Sequence, residues 1–335
     1  MKMYKLFIVL MFGLFLVISC GKPTDPESLN PGGDAGYTIV SKHQTVGFAR
    51  DLIKKDSLVY IAQGEGGLMI VDVSNPSAPK TISNTFEGVR GYSSNIELLD
   101  SIAYISAGNL GVTVVNVSDP YHPVVDVSNF SVKPARSLYI SNSHLYVGCS
   151  EQGLWISDIN IPTYPIARGN IKVDGYAQGI ITTSDSVYMI VACGEVGLTI
   201  LDISIFKDGY GPYPTVSQID TPGYVHSVVT DDKSIAYLAC GYRGLQIVDY
   251  SDTANVSLIG KYDDYGNAEH LMLKDNIIYL SAEKEGLQII DVADPHNPIL
   301  LGIVVTEYLH GFDMDDEYIY LADENEGLII VKIPN

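Results

Sequence analysis

The phrase GLMIVDVSNPSAP at residues 67–79 returns as GLQIIDVADPHNP at residues 286–298, with variants of it in between. Its opening glycine marks seven copies, at Gly67, Gly111, Gly153, Gly197, Gly244, Gly286 and Gly327, spaced 41 to 47 residues apart. No local motif constrains the chain as strongly, because recurrence at that interval calls for one supersecondary unit stacked on copies of itself.

The unit is made of strands. Upstream of each marker lies a β-branched or aromatic run holding a tyrosine: Tyr60, Tyr104, Tyr146, Tyr188, Tyr237, Tyr279 and Tyr320. In the fourth copy the run VYMIVA is two residues longer than its counterparts, from which a bulge is expected. The first copy reads ARDLIKK, LVYIAQ, LMIVDV and PKTISNTF, four short strands separated by Asp, Gly, Asn and Pro, and no stretch carries a helical period. Leu68, Ile70, Val71 and Val73 make the third strand apolar on both faces, so it must be covered on both sides. Four strands per 40 to 45 residues is propeller spacing. The seventh copy ends at GLIIVKIPN without room for its fourth strand, and GYTIVSKHQTV at residues 36–46 can supply it. The expectation is an all-β chain with one seven-bladed β-propeller over residues 36–335, four antiparallel strands per blade, closed by an N-terminal strand that completes the last blade and hides a sheet edge.

The phrase GLxIVDVSxPxxP resembles the LVIVD repeat of bacterial and archaeal cell-surface proteins, over nearly all of residues 36–335. The resemblance implies an exported propeller and says little of its role. Asn116 replaces the phrase's Asp in copy two, INIP follows Asp158 in copy three, YSDTANV in copy five lacks both prolines, and Lys332 replaces the Asp in copy seven. Asp72, Asp158, Asp202, Asp249 and Asp291 stand where the third strand meets a turn, and a short carboxylate there accepts backbone N–H groups. That recurring structural bond explains the motif better than seven active sites would.

Lys2 and Lys5 precede an apolar run from Leu6 to Ile18 that is short for a membrane span and has the layout of a secretory signal. Val17-Ile18-Ser19-Cys20 resembles the lipobox of bacterial lipoproteins. The resemblance implies a signal peptide over residues 1–19, a lipidated Cys20 at the head of a flexible Pro, Gly, Ser and Asp-rich tether over residues 20–35, and anchoring at the outer membrane or cell surface. Gly21, rather than Asp, leaves the outer membrane open as destination. With 40 acidic against 20 basic residues the surface repels phosphate backbones, so nucleic acid is not an expected partner.

Innermost strands of a propeller line a central channel, and aligning them puts Arg50, Ser94, Arg136, Gln178, His226, Glu269 and His310 at one level near its mouth. All seven are polar, as a hydrated wall requires. Arg50, Arg136 and Gln178 suit a carboxylate or a sugar, whereas His226, Glu269, His270 and His310 form an arc with the chemistry of a divalent transition-metal site. No HExxH or CxxC spacing accompanies the arc. Cys149, Cys193 and Cys240 each lie four residues before a marker glycine, where other copies have Gln63, Ala107, Ala282 and Asp323, and read as small fillers of a packed strand. The loops GEG, SEQ, AEKE and DENE edge the same face with acid, DMDDE at residues 313–317 falls at a hairpin turn, and the insertion SIFKDGYGPYP at residues 204–214 carries Phe206, Tyr210 and Tyr213, for which a self-packed loop is preferred to exposure to partners. Two functions follow: a lipid-anchored binding or scaffolding module for a protein or glycan ligand, anionic in character, and alternatively a metal-dependent lyase or hydrolase. With no paired nucleophile and base and no cofactor fingerprint in the sequence, binding is the expectation and no cofactor is assigned.

Overall fold

The computed structural model describes residues 33–334 apart from 86, 90, 131, 205–212, 232 and 264–265. The lipobox and most of the tether therefore lie outside the described residues, as do Phe206 and Tyr210.

Every regular element described is a strand, and the strands form seven four-stranded antiparallel sheets arranged as the blades of one ring. Blade 1 runs outward from Asp51–Lys55 through Leu58–Ala62 and Leu68–Asp72 to Lys80–Thr85. Blade 7 has three strands from the C-terminal end, Leu309–Met314, Tyr318–Asp323 and Gly327–Lys332, and its outer strand is Thr38–His43 from the other end. The closing strand runs antiparallel to its neighbour, with Ile39 opposite Val331 and His43 opposite Leu328. Closure leaves Leu328, Ile329, Ile330 and Val331 fully buried where they would otherwise form an edge.

Packing starts before the closing strand. Residues 33–36 form a turn against blade 6, where Ile303 N–H donates to Gly33 O at 3.1 Å and the Tyr37 and Tyr279 hydroxyls meet at 2.9 Å. The tether drawn over residues 20–35 thus becomes part of the packed body by residue 33.

The core lies between blades, as the two-faced third strand requires. Tyr60 and Ile70 of blade 1 share a buried cluster with Ile96 and Ile105 of blade 2, and Tyr146 and Ile156 of blade 3 share one with Ile180 and Val191 of blade 4. Burying each such aliphatic side chain contributes about 1.5–3 kcal/mol. The recurrent tyrosine sits mid-strand opposite an apolar residue, as Tyr60 opposite Ile70 and Tyr279 opposite Ile289. Blade 4 corrects the sequence alignment: Ile190 takes that place, opposite Ile200, while Tyr188 pairs with Asp202. Its two extra residues do not form a bulge. They lengthen the hairpin turn, which Thr183 and Asp185 cap through Tyr188 N–H to Thr183 Oγ1 at 3.0 Å and Val187 N–H to Asp185 Oδ1 at 3.0 Å.

The repeated aspartate is a turn cap. Asp72, Asp158, Asp202, Asp249 and Asp291 each accept, through Oδ1, the N–H two residues on at 2.8–2.9 Å, and Asn116 does the same for Ser118 at 2.9 Å. On the opposite face of the ring, isolated bridges tie blade to blade, among them Gly64 to Ser93, Gly108 to Ala135 and Gly194 to Val225.

Candidate ligand site at the channel mouth

The bridged face is the one on which the innermost strands begin, and there a cavity of about 630 Å³ opens along the ring axis. All seven residues aligned from sequence line it: Arg50, Ser94, Arg136, Gln178, His226, Glu269 and His310. Six of the seven innermost strands start behind an equivalent bridge, from Gly64–Ser93 round to Glu283–Leu309, so equivalent positions reach one depth. Two levels further in, Leu52, Ile96, Leu138 and Phe312 are buried and seal the blades together.

The ring is uneven in a way that sequence does not reveal. Arg50 Nη1 donates to Glu324 Oε2 at 2.9 Å and lies 2.5 Å from His310 Nε2. His310 is buried, with Nδ1 at 2.6 Å from Glu269 Oε2 and Nε2 at 2.9 Å from Glu324 Oε2. Burial works against the charged form of Glu269, but the hydrogen bond and charge of His310 prevail and hold its carboxyl below the usual range. The guanidinium of Arg50 also lies over the ring of Tyr92, 5.6 Å from its centre. This cluster of opposite charges is internally satisfied across the seam between blades 7 and 1. Of the two arginines expected to face a ligand together, Arg50 lines the mouth but is paired with Glu324 and His310.

Arg136 differs. It is exposed, and among the described residues its guanidinium makes neither a hydrogen bond nor an ion pair, although its charge reaches Tyr224. Gln178 Nε2 donates to the Tyr224 hydroxyl at 3.0 Å, and the His226 ring lies 4.8 Å from that of Tyr224. Burial lowers the His226 pKa against the opposing charges of Glu269 and Glu283.

The metal arc does not assemble. His270 lies one residue deeper than the ring level, edge-on to Phe312 at 5.0 Å between ring centres, and burial pushes its pKa down to about 4. Both His310 nitrogens have partners, and among the described residues no group of three or more His, Cys, Asp or Glu side chains could hold a metal ion.

Deeper on the channel wall stand residues that the sequence alignment passed over. Asp51 accepts from Asn95 Nδ2 at 2.6 Å and from Ile96 N–H at 3.1 Å, and burial pushes its pKa up to about 7. Glu97 is pushed up to about 8, first by burial and then by the charges of Asp51 and Asp313, and burial raises Asp313 as well. They lie one and three residues beyond the ring level, on the other face of strands already aligned, so an alignment of the ring face alone does not reach them. A second omission is aromatic: Phe48, Tyr92, Tyr176, Tyr224 and Tyr308 all stand two residues before their ring positions.

The remaining candidates resolve into structure. Cys149, Cys193 and Cys240 are free and fully buried, and burial pushes their thiols up to about 12, 11 and 12. At the same position in the blades flanking the seam, Gln63 and Asp323 are polar, fully buried and hydrogen-bonded to loop N–H groups. Tyr213 is buried in the cluster of Tyr146, as a self-packed loop requires. DMDDE does turn a hairpin, with Asp315 Oδ1 accepting Glu317 and Tyr318 N–H at 2.9 and 2.8 Å.

A family model described as the LVIVD repeat matches residues 46–85, 134–173, 223–264, 265–306 and 314–335, together more than half of the chain. No curated protein matches the sequence significantly. Among solved structures the fold is similar to the WD40 β-propeller domain of Doa1, at 10% identity and a TM-score of 0.70, covering 90% of this chain and 98% of that one. It is also similar to the β-propeller domain of Myceliophteria thermophila Cps50 (Swd1), at 12% identity and a TM-score of 0.67, covering 89% of this chain and 100% of that one. The computationally designed Ika8 protein aligns at 10% identity and a TM-score of 0.61, covering 87% of this chain and 85% of that one. At such identities the likeness is one of fold.

Proposed function

The chain belongs to the LVIVD-repeat family, and we propose that its propeller is a binding module held at the outer membrane or cell surface by an acylated Cys20, taking a protein or glycan ligand at the channel mouth. The observation that carries the proposal is the contrast within the mouth. Arg50, Glu269, His310 and Glu324 satisfy one another, while Arg136 stands exposed on the same ring and unpaired among the described residues, in a chain of net charge −20. An uncompensated cation on the wall of a concave, bridged and therefore rigid opening is suited to a ligand group that arrives from solution. The alternative of a metal-dependent lyase or hydrolase draws no support from this geometry, because the histidine central to it is enclosed by its own partners.

The test is capture by glycan array and by pull-down, comparing the wild type with Gln178→Trp, which places a bulky side chain at the mouth. Capture should be lost in the variant with melting unchanged. Undiminished capture would move the site to the outer loops.

A further inference from the structure

The aromatic circle around the mouth has a gap. Between blades 1 and 2 the Tyr92 ring lies so close over Gly64 that a Cβ there would meet it at 3.1 Å, and between blades 4 and 5 a Cβ on Gly194 would meet Tyr224 at 2.9 Å. The equivalent residue between blades 2 and 3 is Gly108, bridged to Ala135 as Gly64 is to Ser93. Above it the aromatic side chain is replaced by Pro134, and a Cβ on Gly108 would meet nothing within 4 Å. Two of the seven positions in the circle lack an aromatic ring, Pro134 and Asn267, but a Cβ on Gly241 would still meet Asn267 Oδ1 at 3.2 Å, so of the two only the place above Gly108 is open. The position two residues after Pro134 is Arg136, the cation of the mouth that is exposed and unpaired among the described residues.

We infer that this notch is a subsite for a single carboxylated sugar ring, with the carboxylate forked on Arg136 and the pyranose lodged above Gly108 between Tyr92 and Tyr176. The inference rests on the reading of the mouth as the ligand site and adds the class of ligand. A guanidinium fork matches a carboxylate with two parallel N–H···O bonds. Space vacated by one aromatic ring accommodates one ring of another kind. Its neighbours in the circle are tyrosines, and on the ring level they are Ser94 and Gln178, which together suit a body with apolar C–H faces and hydroxyl edges. A peptide is less well served. Strand addition requires an open backbone edge, and the Gly108 segment is already bridged to the next blade. Exposed Glu65, Glu151 and Glu195 on the surrounding loops repel a run of negative charges, so the acidic unit must be terminal or isolated among neutral sugars.

The experiment uses the full-length protein in detergent and saturation-transfer NMR, with the methyl glycosides of glucuronic acid, galacturonic acid and N-acetylneuraminic acid, their carboxyl-reduced counterparts, and the peptide acetyl-Gly-Glu-Gly-amide. At least one acidic glycoside should bind, and its reduced counterpart should bind at least about tenfold more weakly. Arg136→Gln should cost at least about tenfold, the scale of a lost charge-assisted bidentate contact. Arg136→Lys should fall between, and Pro134→Tyr should block binding by restoring the missing ring. The assignment is overturned if no acidic glycoside binds, if the reduced counterpart binds equally, if Arg136→Gln changes nothing, or if only the peptide binds. A neutral glycan whose capture is lost in Gln178→Trp but kept in Arg136→Gln would end this assignment and leave the mouth as the binding site. Capture indifferent to both variants would end both.

Discussion

Gln63→Ala tests whether the ring is latched at its seam. Gln63 is fully buried, at the strand position that Cys149, Cys193 and Cys240 fill as small apolar residues in other blades. Its Oε1 accepts the N–H groups of Val46 and Gly47 at 3.1 Å each, and its Nε2 donates to Gly66 O at 3.0 Å and to Asn84 Oδ1. Val46 and Gly47 lie on the segment that carries the chain from the closing strand into blade 1, so this side chain fixes the junction of the two ends of the ring. Truncation leaves two N–H donors without their acceptor beside a small void. A net hydrogen bond is worth about 1 kcal/mol and an unsatisfied partly buried donor costs about 1–3 kcal/mol, which together give about 2–4 kcal/mol. Cys149→Ala at the equivalent place removes one sulfur from an apolar strand and should cost about 1 kcal/mol. Urea unfolding followed by fluorescence of Trp155, the single tryptophan, measures both. Hydrogen exchange over residues 38–47 should accelerate in Gln63→Ala and stay unchanged in Cys149→Ala. If the two variants unfold within about 0.5 kcal/mol of each other and exchange alike, Gln63 is filler and the latch does not exist.

Deleting residues 36–46 removes the outer strand of blade 7 and exposes the edge at Gly327–Lys332, so the whole ring should lose melting temperature and solubility; an unchanged melt would contradict closure by this strand. Cys20→Ala should release the protein from membranes into the soluble fraction, and membrane retention of that variant after signal cleavage would refute acylation at Cys20. Glu97→Gln concerns pH: a carboxyl whose pKa is raised to about 8 keeps in the folded state a proton that the unfolded chain has given up, so wild-type stability declines as pH rises from the ordinary carboxylate range to about 8. The variant should gain on the wild type by about 1–3 kcal/mol between pH 5 and pH 8 in denaturant titrations, and a pH-independent difference would show that Glu97 is not held protonated.

The fold was legible because repetition multiplies a weak signal. A single strand-turn phrase is ambiguous, but its return at 41 to 47 residues sets blade number, and the missing fourth strand of the last copy sets the closure. The ring level was legible for the same reason, since one register governs all seven innermost strands. What escaped was pairing between blades. Arg50 and Glu324 meet only because blades 7 and 1 adjoin, and nothing local to either residue marks the other as its partner. Tyr188 misled because two residues added to a turn shift a strand without altering its composition, so Ile190 rather than a tyrosine faces Ile200. The gap above Gly108 is written in the sequence as Pro134, but it becomes a feature only when Tyr92 and Tyr224 are seen resting on Gly64 and Gly194.

The most direct test of ligand capture at the mouth is the hydrogen-exchange footprint of whatever glycan or protein the wild type captures. The account predicts protection concentrated in residues 92–96, 134–138 and 176–180, with the outer strands and the aspartate-capped turns unchanged. Protection confined to those outer strands or turns, with the mouth exchanging as in the free protein, would contradict it.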